Sequence, residues 1–339
     1  MHQNRVLSFL YGAQSGHIPF CPLKWMAQNH HYGIIMIAVK NLVFDYPGIR
    51  ALDNVSFTIS AGSITALVGP NGAGKTTLIR CMAALERPVS GSIEIAGIDV
   101  AEHPRACHRI LGYLSDFFGL YQRLTVRQCL HFVARAQGIP EMDCETAIST
   151  VSQYLNIVDR LDQRPGELSR GLRQRVAIAQ AIIHKPRLIL LDEPASGLDP
   201  EARHELAELF LDLQRQGMTL LVSSHILAEL EAYCSDMLIL RQGQVVEQVT
   251  ITNADARQTL KLSLTHPLER LGTLLRQIEE IKLVKIEHNQ TAWLEVSNNP
   301  EQQHRLLKTL LEQGLPVCEF APASHTLQDA YLQTIRQSR

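Results

Sequence analysis

From Ile37 onward, short apolar runs alternate with segments whose apolar residues return every three or four positions. Strand side chains alternate between two faces while helical ones return about every 3.6 residues, so the two patterns predict different elements. VKNLVFDY and VSFTIS alternate as strands do, ITALVG is a compact run suited to a buried strand, and Lys75 to Leu85 predicts a helix ended near Pro88. SIEIAG predicts another strand; TVRQCLHFVARAQ, ETAISTVSQYLN and LRQRVAIAQAIIH predict helices. LILLDEP then reads as a buried strand, EARHELAELFLDLQRQ as a helix and TLLVSSH as a strand. Helices inserted between buried strands predict an α/β fold with a mainly parallel sheet covered on both faces.

After about Gln248 the pattern changes. RQTLKLSLT, KLVKIEH, TAWLEVS and PVCEF predict strands, and PLERLGTLLRQIE and EQQHRLLKTLLEQG predict helices between them, with TLQDAYLQTI as a last helix. The order β-α-β-β-α-β suits a small α+β domain of the split βαβ kind. The expected division is an N-terminal extension over 1–35, a catalytic unit over 36–247 and an accessory domain over 248–339. VLSFLYGA in the first segment faintly resembles a signal peptide but is short, lacks a convincing cleavage site and is followed by polar breaks, so that segment reads as a disordered extension or a misassigned start, with Met36 as the true one.

Composition narrows the field. A net charge of -2 supplies no bulk attraction for nucleic acid or an anionic membrane. Seven scattered cysteines without a C-x-x-C pair suggest neither a disulfide framework nor a zinc site, which fits a reducing cytosol. No run approaches the roughly 18 apolar residues of a spanning helix, so any membrane role would need another chain.

The candidate chemistry begins in GPNGAGKTT, comprising Gly69, Pro70, Asn71, Gly72, Ala73, Gly74, Lys75, Thr76 and Thr77. It follows a predicted strand and opens a predicted helix, the context of a P-loop. Glycines let successive N–H groups turn towards phosphate oxygens, and the helix N-terminus adds partial positive charge. Lys75 would reach the β- and γ-phosphates, and Thr76 would hold Mg²⁺. Upstream, Tyr46 could offer a face to an adenine ring.

RLILLDEP brings Asp192 and Glu193 to the end of a buried strand, where open α/β sheets build ligand sites. Asp192 is placed to orient Mg²⁺ or its water, and Glu193 to act as general base on the attacking water. Asp199 follows in SGLDP, and His225 ends the run TLLVSSH, placed to contact a γ-phosphate. LSRGLRQR sets Ser169 directly before a predicted helix, which is a helix cap on local grounds alone.

Taken in order, Tyr46, GPNGAGKTT, LSRGLRQR, LILLDEP, SGLDP and SSH make residues 37–247 resemble the ATPase subunits of ABC transporters. The resemblance implies a P-loop NTPase fold, with a RecA-like parallel core, an antiparallel β subdomain and a helical subdomain, and it implies ATP and Mg²⁺ as cofactors. It also implies a homodimer or heterodimer in which Ser169 and Gly171 contact the ATP held by the other subunit's Lys75, with Asp199 coupling the two sites. A separate integral membrane permease would be the partner, with the ATPase on the cytoplasmic face and no nucleic acid involved.

Three residues depart from the family pattern: Arg170 and Leu172 in the signature, and Asp116 where the metal-binding Gln is usual. YLSDFFGLYQRLTV and the C-terminal ending look most like ABC-2-type exporters. The rival readings are a soluble ABC-type ATPase acting on nucleic acid or ribosomes, and a nucleotide-gated regulatory module.

Overall fold

ITALV forms β3 (Ile64–Val68), whose five residues are all buried. The computed structural model describes residues 35–117, 119–224, 226, 230, 233–250, 257–276, 278, 281–297 and 299–322. The expected N-terminal extension, the last helix TLQDAYLQTI and His225 lie outside them, apart from Ile35.

β3 sits inside a sheet completed by β6 (Leu111–Leu114), β7 (Leu188–Asp192), β8 (Thr219–Ser224), β9 (Asp236–Arg241) and β10 (Gln244–Thr250). Its order is β10-β9-β3-β8-β7-β6, parallel throughout except for the β9–β10 pair. Alternate residues of the same strands enter two different cores. Ile64, Ala66, Ile189, Leu191, Leu220 and Val222 face one; Leu67, Leu188, Leu190, Leu221 and Leu238 face the other. Burial on both faces explains why these strands read as continuous apolar runs rather than alternations.

The second core is closed by an antiparallel sheet, β2-β1-β4-β5, built from β1 (Ile35–Tyr46), β2 (Ile49–Ser60), β4 (Ser90–Ile95) and β5 (Ile98–Asp99). Helix α1 (Lys75–Met82) packs there through Leu78, Ile79 and Met82, and α2 (Pro104–His108) through Cys107. The first core takes α3 (Val126–Ala136), α4 (Glu141–Tyr154), α5 (Arg170–Ile182) and α6 (Pro200–Arg215). Thr125 and Gln128 close a reciprocal capping box that fixes the start of α3. These arrangements match the expected parallel core, β subdomain and helical subdomain.

Beyond residue 256, β11 (Arg257–Leu264), α7 (Leu271–Arg276), β12 (Lys282–Glu287), β13 (Thr291–Ser297), α8 (Pro300–Glu312) and β14 (Val317–Pro322) follow the expected order. Their antiparallel sheet runs β12-β13-β11-β14 around a third core of Leu260, Leu262, Leu294, Leu306 and Leu310. Among the described residues, no helix is long and apolar enough to cross a membrane.

Candidate active site

Parallel register brings the ends of three strands together: Val68 pairs with Ser224, and Asp192 with Ser223. Residues 69–74 leave β3 and enter α1 at Lys75. Two glycines of this loop are demanded by their own surroundings. A Cβ on Gly69 would stand 2.2 Å from the Leu240 carbonyl oxygen; on Gly74, at φ +104°, it would stand 2.6 Å from that of Ala51. The loop is thus pressed against strand backbone, which only glycine permits.

Within it, Ala73, Lys75 and Thr77 are buried, whereas Pro70, Asn71, Gly72 and Thr76 are exposed. Lys75 Nζ donates to the carbonyls of Gly69 (2.8 Å) and Pro70 (3.3 Å) and stands 3.8 Å from Glu193 Oε1. The lysine is held by its own loop, where an incoming phosphate would compete for it. Tyr46 Oη lies 3.5 Å from Thr77 Oγ1, and its ring packs edge-on against Phe44 at 4.9 Å. The tyrosine is therefore at the cradle, with 40% of its surface exposed.

Asp192 is completely buried. Ser223 Oγ donates to its Oδ1 at 2.6 Å and accepts the Glu193 N–H at 2.9 Å, so one hydroxyl fixes both acids. Asp192 Oδ2 has no hydrogen-bond partner. Burial pushes the Asp192 carboxyl above its ordinary range; the Ser223 hydrogen bond and the nearby Thr76 hydroxyl pull it back, and the charges of Asp116 and Glu193 push it further up. A buried carboxylate oxygen lacking a partner, beside the Thr76 hydroxyl and near Asp116, is an all-oxygen donor set suited to a hard divalent cation such as Mg²⁺.

Asp116 itself is exposed, its Oδ1 accepting the Phe117 N–H at 2.8 Å. Glu193 holds a left-handed backbone, φ +49°, sparsely populated outside glycine and concentrated at functional sites. The half-buried Tyr113 is pushed up to about 12, first by burial and then by Asp192. Sequence reading passed over Ser223 and Tyr113. Ser223 lies within SSH, where only the histidine carries a chemistry that the sequence pattern marks.

The signature residues form a second locus. Ser169 caps α5, its Oγ accepting the Leu172 N–H at 3.3 Å. Asp199 caps α6, accepting from Ala202 N at 2.9 Å. Both flank a cleft of about 540 Å³ whose walls also include Arg170, Gly171, Gln174 and Gly197 and none of residues 69–77. A Cβ on Gly171 would meet only the Ala202 methyl, at 3.8 Å. The Arg170 guanidinium lies over Gly197, where a Cβ would come within 2.6 Å of Cζ.

Parallel strands that end together in a lysine-bearing glycine loop and a pair of acids mark the P-loop nucleotide-hydrolysing fold. Comparison with known proteins narrows that class. Residues 52–196 match the family model described as ABC transporter. The chain is 36% identical over 199 residues to the ABC transporter ATP-binding protein NatA of Bacillus subtilis, covering 58% of this chain and 81% of NatA. It is 29% identical over 301 residues to the bacitracin transport ATP-binding protein BcrA of Bacillus licheniformis, covering 88% of this chain and 97% of BcrA.

Among solved structures, an ATP-binding subunit of an ABC transporter superposes with TM-score 0.59 and 35% identity, over 64% of this chain and 90% of that one. A dimeric ATP-binding cassette bound to ADP and phosphate shares the fold, with TM-score 0.60 at 24% identity, over 65% of this chain and all of that one. The chain belongs to the family of ABC transporter ATP-binding proteins. It is an ATPase, and ATP is its nucleotide.

Proposed function

We propose that two copies of this ATPase domain, from this chain or a close relative, close head to tail around ATP and drive a separate membrane permease from the cytoplasmic face. The observation that carries this reading is the separation of the two loci. The cleft flanked by Ser169, Gly171 and Asp199 contains no residue of the phosphate loop, so its donor-rich helix end is suited to a phosphate presented by another subunit.

In each composite site the amides of residues 69–74, with Lys75, Thr76 and Thr77, hold the phosphates, and Tyr46 offers its ring to the base. Thr76, Asp192 and Asp116 would hold Mg²⁺, which when bound neutralises charge developing on the phosphates. Glu193, tied to Ser223 through its N–H, takes a proton from the attacking water, and His225 keeps that water in line. Ser169 and Gly171 meet the γ-phosphate from across the boundary, and Asp199 couples the sites.

An export direction is favoured by one relative, a Nod factor export ATP-binding protein of Rhizobium meliloti, 32% identical over 219 residues. The exposed rings of Phe117, Tyr121 and Phe132 offer an apolar surface for the permease. The C-terminal unit, residues 248–339, is an accessory domain. Purification from native membranes tests the reading: an integral membrane protein should co-purify stoichiometrically, and recovery of the ATPase alone would contradict it.

A further inference from the structure

Gln174 is an anomaly in α5. It lies three residues after Gly171 and four after Arg170, hence on the same helical face. Only 1% of its surface is exposed, yet neither Oε1 nor Nε2 has a hydrogen-bond partner. A buried amide left unpaired is costly, and an apolar side chain of similar length would fill the space without that cost. The residue nevertheless contributes to the wall of the cleft flanked by Ser169 and Asp199.

The same cleft is lined by Gly197, Leu198 and Asp199, the end of the segment that runs from the hydrolytic carboxylate of Glu193 to the residue capping α6. This segment is built on unusual backbone: Glu193 and Gly197 both have positive φ, and it turns through Ser196 N–H to Glu193 O (3.1 Å) and Leu198 N–H to Ala195 O (3.3 Å). Arg170, one turn before Gln174, already rests on Gly197. The same face of α5 therefore carries a side chain touching this segment and an amide with unused hydrogen-bonding capacity.

We infer that Gln174 is a positioning residue: when the ATP-loaded pair closes, its amide hydrogen-bonds the backbone of residues 195–198 and fixes the signature end of α5 against Asp199. The unpaired amide of the open subunit then finds its partners only on closure, which biases the equilibrium towards the closed state. Gln174 touches neither nucleotide nor water; it acts through the loop that carries Glu193 and Asp199. This inference rests on the composite-site reading above.

The test uses the full chain carrying Gln174→Met, alone and combined with Glu193→Gln. The expected result is an unfolding temperature equal to or above that of the unaltered chain, unchanged KM for ATP, kcat lowered roughly ten-fold or more, and ATP-driven pairing of the Glu193→Gln chain weakened by a similar factor. Gln174→Leu, of different shape, guards against a packing artefact. Unchanged kcat and pairing in Gln174→Met overturn the inference. So does a lower unfolding temperature in both variants, since the amide would then be paired in the open subunit. If Glu193→Gln alone fails to pair with ATP, the composite-site reading falls and takes this inference with it.

Discussion

Gly171 is not required by its own chain. It is helical, a Cβ there would make only an ordinary contact with Ala202, and alanine is favoured over glycine in a helix by about 1 kcal/mol. Gly171→Ala should therefore keep or raise the unfolding temperature while lowering ATP turnover on the order of 10²-fold, because the added methyl would hold the partner's phosphate away from the Gly171 N–H. Thermal melts beside a phosphate-release assay check both halves.

Asp192 makes the reverse case. Because its folded carboxyl is raised by burial, the folded protein holds that proton more tightly than the unfolded chain. Its contribution to stability is complete below the ordinary carboxylate range and is lost as pH rises through the raised value. Asp192→Asn should thus raise the melting temperature of the ligand-free protein at neutral pH and abolish hydrolysis. A lower melting temperature would mean that the buried charge is compensated. Lys75, Asp192 and Glu193 were legible because glycine spacing and an apolar strand announce them. Ser223 and Gln174 were not, since a serine in a strand and a glutamine in a helix carry meaning only once their neighbours are known.

At the scale of elements, α5 combines two roles that its sequence showed only in part. As a capped helix it needs Ser169, whose loss costs about 0.5 to 2 kcal/mol. As a phosphate-facing end it needs the same hydroxyl for turnover. Ser169→Ala should therefore lower ATPase activity far more than a cap of that size lowers stability, while Arg170→Gly, which removes only the guanidinium resting on Gly197, should retain most activity. Activity lost in Arg170→Gly but kept in Ser169→Ala would mean the motif is placed in the wrong frame.

The long periodic helices and the fully buried β3, β7 and β8 followed directly from the sequence pattern. β6, β9 and β10 did not. Leu111–Leu114 has only four residues, and QVVEQVT mixes apolar and polar positions without clean alternation. β6 pairs with β7 and β9 with β3, each far along the chain, and Leu240 of β9 is what closes on Gly69.

Among the described residues the molecule has three cores, and the third draws on residues between 260 and 320. Removing residues 251–339 should leave the unit holding the phosphate loop folded, with unchanged ATP affinity by equilibrium binding. Loss of folding would show that the C-terminal unit is integral to it. The β-α-β-β-α-β order of that unit was readable because its helices and strands differ in period, whereas no residue in it announced a chemistry.

The central claim, that each site is shared between two copies, is tested most directly by mixing two inactive chains, Lys75→Ala and Gly171→Ala. In a head-to-tail pair formed from one of each, one site combines both defects and the other is intact. Mixing should restore ATP hydrolysis to about a quarter of the unaltered level, since half the pairs are mixed and each has one working site. If every subunit completes its own site, the mixture stays as inactive as either chain alone, and that result would contradict the account.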